Sequence, residues 1–405
     1  MRILSINKFH YFRGGADKYF FDLSKLLESN GHTVAHFSTK SKHNVDSPFS
    51  DFFVKGFSED EYSDATLFSK INAFINGIYS FESKKKIKEL SDKFKPDIAH
   101  AYNIFYQLSP SVFVGLKKRN IPTVMSLLDA QIICGAASFY LNNKECFLCK
   151  QSNFNLLRNK CYHNNFFASM MGYLAKEMHS FSNIWNNVDK FITASNNFKN
   201  LLVTWGFNPD KIHVIPYFDP LTKENPAYEL GDYALFVGRL SFEKGIDVLL
   251  ESYKKINYPL VIIGEGPQRN WVEEFIKKNK MKNVTLIGFV SSKEGLVKHI
   301  RGCRFVIIPS SWYELYPLIA LNSFSLGKPV IGSNSGGIPE IIENEKNGLL
   351  FEKSNSFELE KSITRLIKDD CLCLTLGKAG RQKALDEYTE SKHYERILNV
   401  YKSLI

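Results

Sequence analysis

SSWYELYPLIALNSFSLGKPVIGSNSGGIPEII, residues 310–342, follows directly on the apolar run FVIIPS at 305–310. FVIIPS has the length and composition of a buried strand, and PVIGS at 329–333 is a second such run. A helix is predicted to begin near Pro317, because proline suits the first helical position. Strand, helix and strand in succession are typical of a parallel sheet with helical crossovers.

The same alternation extends along the rest of the chain. Before FVIIPS, strands are predicted at YALFVG (233–238), LVIIG (260–264) and VTLIGF (284–289). In the first half they are predicted at RILSI (2–6), TVAHFS (33–38), DIAHAY (97–102), TVMSLL (123–128) and FITAS (191–195). This pattern predicts an α/β protein with two doubly wound, Rossmann-like domains that face each other across a crevice. We assign 1–215 to the first domain and 216–387 to the second, and expect a helix at 388–405 to pack back on the first.

Composition narrows the class of protein. The chain has 405 residues, of which 44% are hydrophobic, and its longest apolar runs fall short of the ~18 residues that a membrane-spanning helix needs. The opening MRILSINKF lacks the apolar core of a signal peptide, because Asn7 and Lys8 interrupt it. We therefore expect a soluble, cytoplasmic protein.

Positive charge is concentrated in the first domain. Residues 1–215 hold 26 Lys and Arg against 18 Asp and Glu, which is +8 of the total of +10. The usual nucleic-acid motifs are absent from the sequence, so we expect no nucleic-acid partner. The surplus favours docking on anionic lipids at the inner face of the cytoplasmic membrane, where lipid-linked acceptors are found.

Glu314 is the first candidate for chemistry. It lies between the strand FVIIPS and the predicted helix, where its carboxylate can accept hydrogen bonds from sugar hydroxyls. Around Pro317, the backbone N–H groups of Tyr316 and Leu318 are free to bind phosphate. An acid at a helix N-terminus is also commonly a purely structural feature, because the helix dipole stabilises it.

Two cations follow the first strand of the second domain. YALFVG runs into GRLSFEKG, which places Arg239 and Lys244 in the loop at the carboxyl end of that strand. Preorganised cations there would stabilise the charge that builds on a leaving diphosphate. No two aspartates are separated by a single residue anywhere in the sequence, so we expect catalysis that requires no metal ion.

Glycine turns complete the predicted donor site. Gly14 and Gly15 follow the first strand and open a helix, so their N–H groups point at the crevice, although two glycines can also serve only a tight turn. Gly238 and Gly264 end two strands of the second domain, the latter in IIGEGP. We include all four glycines among the donor-binding candidates.

Four cysteines form a separate pattern. Cys134, Cys146, Cys149 and Cys161 are spaced C-x11-C-x2-C-x11-C, with His163 two residues further on, in a polar, Asn-rich insertion. Four soft ligands of this kind are compatible with a structural zinc site. Because the outer spacings match no diagnostic zinc module, scattered thiols are the alternative.

Several segments together resemble glycosyltransferase family four, retaining enzymes of the GT-B fold that include bacterial polysaccharide-biosynthesis enzymes. They are RGGADKYFFDLSKLLESNGHTV, PDIAHAYN, VGRLSFEKGIDVLLESY, IIGEGP, PSSWYELYPLIALNSFSLGKPVIGSNSGGIPEII and the terminal helix. The resemblance implies that Arg239 and Lys244 hold the donor diphosphate, that Glu314 contacts the transferred sugar and that Gly15 lies close to donor or acceptor. It also implies retention of the anomeric configuration.

The sequence departs from that family at two positions. The family's second glutamate, which usually binds the nucleotide ribose, is Asn322 here, and the family's His-Asp pair is Leu128-Asp129. We keep Asn322 as a donor-binding candidate, because its carbonyl oxygen accepts hydrogen bonds, and Asp129 as a candidate on the acceptor or sugar side. His100 is a further candidate there, although a lone histidine near a strand end is more often structural.

These features predict a retaining, metal-independent hexosyltransferase. It would move a sugar from a nucleotide-diphosphate sugar to an acceptor, and the basic first domain favours a lipid-linked oligosaccharide of surface-polysaccharide biosynthesis. Two alternatives remain open. Leu128 and Asn322 suggest a catalytically degenerate scaffold that binds partners, and a soluble enzyme of the same fold acting on a small metabolite is the other.

Overall fold

In a computed structural model, which describes residues 1–56, 75–162 and 164–405, each predicted series of strands forms one six-stranded sheet. Every pairing within these two sheets is parallel. The predicted pair of doubly wound α/β domains is thereby confirmed.

The first sheet has the strand order β10-β9-β6-β5-β1-β2. Its strands are β1 (Arg2–Ile6), β2 (Thr33–Phe37), β5 (Ile98–Ala101), β6 (Thr123–Ser126), β9 (Lys190–Thr193) and β10 (Ile212–Val214). Two short pairs lie outside it: β3 (Thr39–Lys40) with β4 (Val54–Lys55), and β7 (Tyr140–Leu141) with β8 (Lys144–Glu145). β5 and β6 are buried along their whole length, as expected of strands covered on both faces.

The second sheet has the order β13-β12-β11-β14-β15-β16. Its strands are β11 (Ala234–Val237), β12 (Leu260–Ile263), β13 (Val284–Gly288), β14 (Phe305–Ile308), β15 (Val330–Ser333) and β16 (Gly348–Phe351). β14 and β15 lie side by side and are fully buried, which matches their continuous apolar sequences. β10 and β16 were not among the predicted strands.

Helices connect the strands in both domains. The first domain contains α1 (Gly15–Ser29), α2 (Phe81–Phe94), α3 (Ser111–Lys117), α4 (Phe154–Arg158), α5 (Phe166–Phe181) and α6 (Asn196–Thr204). The second contains α7 (Ile246–Tyr253), α8 (Arg269–Lys278), α9 (Lys293–Gly302), α10 (Leu318–Ser325), α11 (Ile338–Ile341), α12 (Ser356–Lys368) and α13 (Asp370–Glu387), and α14 (Glu390–Lys402) ends the chain. Within the described ranges, no helix is both long and apolar enough to cross a membrane.

The last helix, α14, contacts the first domain through buried polar pairs. Tyr401 Oη lies 2.6 Å from His100 Nδ1, and His393 Nε2 lies 3.0 Å from Tyr19 Oη on α1. Tyr19 also packs on Tyr217 of the interdomain linker, residues 215–226, with ring centroids 4.9 Å apart. These aromatic side chains belong to one apolar cluster that includes residues of both domains, so the linker and α14 join the two sheets.

Candidate active site

A cleft of about 670 Å³ separates the carboxyl ends of the two sheets, where ligands bind in open α/β sheets. The predicted site residues that line it from the first domain are Gly14, Gly15 and Asp129. Those that line it from the second domain are Gly238, Arg239, Lys244, Gly264, Glu314, Tyr316, Pro317 and Leu318. The structure therefore brings eleven candidates, far apart in sequence, to one cavity.

Glu314 is buried at the wall of this cleft, with 6% of its surface exposed. Its Oε2 accepts hydrogen bonds from Lys244 Nζ at 2.7 Å, Ser310 Oγ at 2.9 Å and Trp312 Nε1 at 2.9 Å. Burial raises the pKa of the carboxyl, but the Lys244 charge and these hydrogen bonds outweigh it, so the net pKa is lowered. Glu314 is thus held as a carboxylate.

Close backbone packing fixes the position of Glu314. Gly336, in the loop after β15, has φ +55° and a Cβ there would lie 2.0 Å from the Glu314 carbonyl oxygen. The N–H of Gly337 donates to that oxygen at 2.8 Å. Only glycine allows this approach, so the SGG sequence at 335–337 supports the carboxylate.

Each of the two cations in the β11 loop is paired with a carboxylate. Arg239 forms an ion pair with Glu243 while 59% of its side chain stays exposed. Lys244, besides its bond to Glu314, has its Nζ 4.6 Å from the centroid of the Trp312 ring. Both cations line the cleft, so a diphosphate entering it would meet them together.

Two helix N-termini meet at the cleft. α1 begins after Gly14 and α10 after Pro317, and neither N-terminal residue provides a side-chain cap. A Cβ on Gly15 would lie 3.1 Å from Leu318 Cδ1, so the two helix starts nearly touch. The predicted helix start near Pro317 is observed at Leu318, and the uncapped N–H groups give the cleft a positive local field.

Two candidates do not line the cleft. Asn322 lies in a neighbouring small pocket with Lys18 and Asp219, and burial raises the pKa of the Asp219 carboxyl. That pocket shares Tyr19 with the cleft. His100 is fully buried between Ser126 Oγ at 2.8 Å and Tyr401 Oη, which is the structural role that we considered more common.

Asp129 reaches the cleft beside Leu128. Burial raises the pKa of its carboxyl, while the charge of Lys8 and the N–H of Gln131, 2.8 Å from Oδ1, act in the opposite direction. An acid of this kind, facing Glu314 from the other domain, is suited to contact a sugar or acceptor hydroxyl.

Sequence reasoning missed several cleft residues, including Tyr217, Trp312 and Tyr313. Trp312 belongs to the quoted motif, two residues before Glu314, and its indole N–H is a natural donor to a nearby carboxylate. Tyr217 lies in the interdomain linker, where the sequence predicts no site residue. Nothing in the local sequence indicates that this linker residue reaches the cleft.

The four cysteines line one small cavity of about 20 Å³. All four are free thiols. Burial raises the pKa of the Cys134 thiol. It also raises the pKa of Cys149 to about 12 and that of Cys161 to about 11, and the neighbouring thiols raise these two pKa values further. Among the described residues, no three His, Cys, Asp or Glu side chains are arranged to hold a metal ion. His163 lies outside the described residues, and the zinc hypothesis stays a prediction.

Proteins similar in sequence to this chain include glycosyltransferases. Residues 219–383 match the model of the family described as glycosyl transferases group 1. An uncharacterized glycosyltransferase of Methanocaldococcus jannaschii is 33% identical over 220 residues, which are 54% of this chain and 60% of the relative. The match thus spans about three-fifths of that relative's length.

Solved structures resemble the whole chain. Sucrose-phosphate synthase of Thermosynechococcus elongatus superposes with a TM-score of 0.73 at 19% identity, covering 100% of this chain and 98% of that one. Anabaena HepE, solved in complex with UDP-glucose, gives a TM-score of 0.69 at 16% identity and 100% coverage of both chains.

The two facing sheets and the cleft between them define a glycosyltransferase fold of the GT-B type. The resemblance predicted from the motifs is confirmed, and residues 219–383 match the model of group 1 glycosyl transferases.

Proposed function

We propose that the protein is a retaining glycosyltransferase that moves a hexose-type sugar from a nucleotide-diphosphate sugar to an acceptor. The observation that carries this proposal is the Lys244–Glu314 pair, placed in the interdomain cleft beside the uncapped start of α10. It combines a sugar-binding carboxylate with a cation and helix N–H groups that suit a diphosphate.

In the proposed reaction, the bond between the anomeric carbon and the diphosphate oxygen breaks, the acceptor hydroxyl oxygen bonds to that carbon, and the hydroxyl proton passes to the departing diphosphate. Negative charge then builds on the leaving diphosphate. Arg239 and Lys244 would exchange their carboxylate partners for this group, and the N–H groups at the start of α10 would add their dipole. These groups supply the electrostatic stabilisation that we propose in place of a metal ion.

The remaining assignments belong to the same proposal. Gly14, Gly15, Gly238 and Gly264 let the donor approach the backbone, Tyr316 to Leu318 contact its phosphates, and Asn322 contacts the ribose from its neighbouring pocket. We place Asp129 on the acceptor side. The acceptor that we propose is a lipid-linked oligosaccharide, on the basis of the +8 charge of residues 1–215.

Product analysis with a panel of nucleotide sugars tests the reaction. UDP-glucose is the first probe, because the similar Anabaena HepE was solved with it. NMR of the product should show the donor's anomeric configuration; an inverted product would overturn the retaining assignment.

Arg239→Ala should lower turnover about 100-fold. Arg365→Ala, which removes a half-exposed arginine of α12 paired with Glu345, is the control and should not change turnover. Binding of no nucleotide sugar at all would favour the scaffold alternative.

We also propose that Cys134, Cys146, Cys149 and Cys161 hold a structural zinc ion. Their shared cavity supports this, and four thiolates are a common ligand set for zinc. Elemental analysis of the purified protein should find about one zinc per chain, and Cys149→Ser should lose both the metal and thermal stability. Cys371→Ser, at an exposed cysteine of α13, is the matched control. Metal-free wild-type protein would refute the assignment.

A further inference from the structure

Helix α5 (Phe166–Phe181) presents its large apolar side chains to solvent. Its buried residues are the small Ser169, Gly172 and Ala175, with His179. The exposed ones are Phe166, Phe167, Leu174, Met178 and Phe181. Phe167 is 69% and Phe181 92% exposed, so the helix has the reverse of the usual arrangement, in which the apolar face packs against the core.

These side chains lie on one side of the helix, which they share with the exposed Glu177. At 100° per residue, positions 166, 167, 174, 178 and 181 fall within an arc of about 120°. The sixteen residues of α5 extend this side over about 24 Å. Phe154 of α4, which is also exposed, packs on Tyr173 with ring centroids 5.9 Å apart and widens the apolar surface. An exposed patch of this kind marks an interaction surface.

Exposed cations lie on the chain segments that adjoin α5. Near the start of α5, where the Tyr162 N–H donates to Ser169 Oγ at 3.0 Å, the chain has just passed the exposed Arg158 and Lys160. At the other end His179 Nε2 lies 2.7 Å from the Ile78 carbonyl oxygen, which brings the N-terminus of α2 close.

That end of α2 has the same combination of side chains. Phe81 is exposed, Lys84 Nζ donates to Tyr79 Oη at 2.7 Å, and Lys85 extends into solvent. The single acid of α5, Glu177, accepts a hydrogen bond from Asn153 Nδ2 at 2.9 Å.

We propose that this α5 face, Phe166 to Phe181 with the cations of the adjoining segments, docks on an anionic lipid membrane. An exposed apolar helix face, with basic side chains on the adjoining segments, matches the layering of a bilayer surface, in which acyl chains lie beneath negatively charged headgroups. The inference does not depend on the donor chemistry. Its use in presenting a lipid-linked acceptor rests on the proposed function.

Sedimentation with vesicles tests the docking surface on the full chain. Wild-type protein should bind vesicles that contain phosphatidylglycerol, bind phosphatidylcholine vesicles at least tenfold more weakly, and dissociate as salt rises. Phe167→Ser with Phe181→Ser should lower the partition coefficient at least tenfold, because both rings leave the lipid. Phe357→Ser, at a 59% exposed phenylalanine of α12, is the matched control and should leave the partition coefficient unchanged.

The charged part of the surface has its own pair of variants. Arg158→Ala with Lys160→Ala should weaken binding to the anionic vesicles about tenfold, while Lys277→Ala with Lys278→Ala, at exposed positions of α8, should not.

Equal binding to both kinds of vesicle, or no effect of the phenylalanine substitutions, overturns the proposal. So does a wild-type dimer that the Phe167 and Phe181 substitutions convert to a monomer, since the face would then join two copies of the chain.

A nucleotide-sugar melting shift, measured without vesicles on the same preparations, separates this inference from the proposed function. If the protein binds donor but no vesicle, the docking inference fails and the transferase proposal survives. If it binds vesicles but no donor, the docking inference survives and the transferase proposal fails.

Discussion

Glu314 is the side chain whose replacement tests the chemistry most directly. Gln keeps the size of the side chain and can still accept from Lys244, Ser310 and Trp312, but it removes the negative charge. If its contact with the sugar strengthens in the transition state, Glu314→Gln should lower turnover about 100-fold. Steady-state kinetics with the best donor measure this, and unchanged turnover would refute the assigned role.

The same substitution should lower stability in a pH-dependent way. Because the pKa of Glu314 is depressed below its ordinary value of 4.5, its charge stabilises the folded protein above that pH, and the contribution is lost as pH falls through the depressed pKa. A hydrogen bond to a charged group contributes about 1.5–3 kcal/mol. The difference in urea midpoint between wild type and Glu314→Gln should therefore be present at pH 7 and shrink below pH 4.5. A constant difference would mean that the charge is not what stabilises the site.

The place of a site residue could be predicted where it depends on the residues next to it in sequence. Glu314, Arg239 and Lys244 follow strand ends, and parallel strands bring their carboxyl ends together, so the sequence placed them in the cleft. His100 lies near the carboxyl end of its own strand, β5. Its ring is nevertheless taken up by Tyr401, three hundred and one residues further on, and no local pattern indicates that pairing.

Among the elements, strands were predictable where an apolar run was long enough to be buried on both faces, as β14 and β15 are. The three-residue β10 lies at a sheet edge and has no such run. α5 was missed for a different reason. No element was predicted for this segment, and the exposure of its apolar face depends on what the helix packs against, which only the tertiary structure reveals.

The docking of α14 should make the protein sensitive to acid. Burial lowers the pKa of His100 and of His393 to about 3. Unfolding returns each to its ordinary value of 6.5, so each stabilises the folded state above pH 6.5 and loses this contribution as pH falls towards 3, by about 1.4 kcal/mol per pH unit. The urea midpoint should fall between pH 7 and pH 5.

A pair of histidine variants tests the cause of that acid sensitivity. His393→Gln removes one of three histidines, with His36 and His100, whose pKa burial lowers to about 3, and it should lessen the pH dependence between pH 7 and pH 5. His43→Gln, at an exposed position of the first domain, is the matched control and should leave the pH dependence as it is in wild type. An identical slope in wild type and His393→Gln would rule out this origin of the acid sensitivity.

The two domains and the linker meet in a chain of aromatic contacts at one side of the cleft. Tyr217 packs on Tyr19 of the first domain and, with ring centroids 5.6 Å apart, on Tyr316 of the second. Tyr316 Oη in turn donates to Tyr388 Oη at 3.2 Å. A ligand held by residues of both domains therefore stabilises the arrangement of the whole chain, and not only of the domain that binds its nucleotide.

Donor binding should accordingly raise the melting temperature of the intact protein. A ligand at one hundred times its Kd adds about 2.7 kcal/mol to the free energy of unfolding, which for a chain of this length corresponds to a shift of about 3 °C. Lys244→Ala removes a cation from the diphosphate site, so the shift at the same donor concentration should largely disappear. Lys278→Ala, at an exposed position of α8, should retain the full shift.

Lys244 also neutralises the buried Glu314, so Lys244→Ala will melt at a lower temperature even without ligand. The informative quantity is therefore the donor-induced difference in melting temperature within each variant. An equal difference in both variants would show that the donor binds away from the cleft that Lys244 lines.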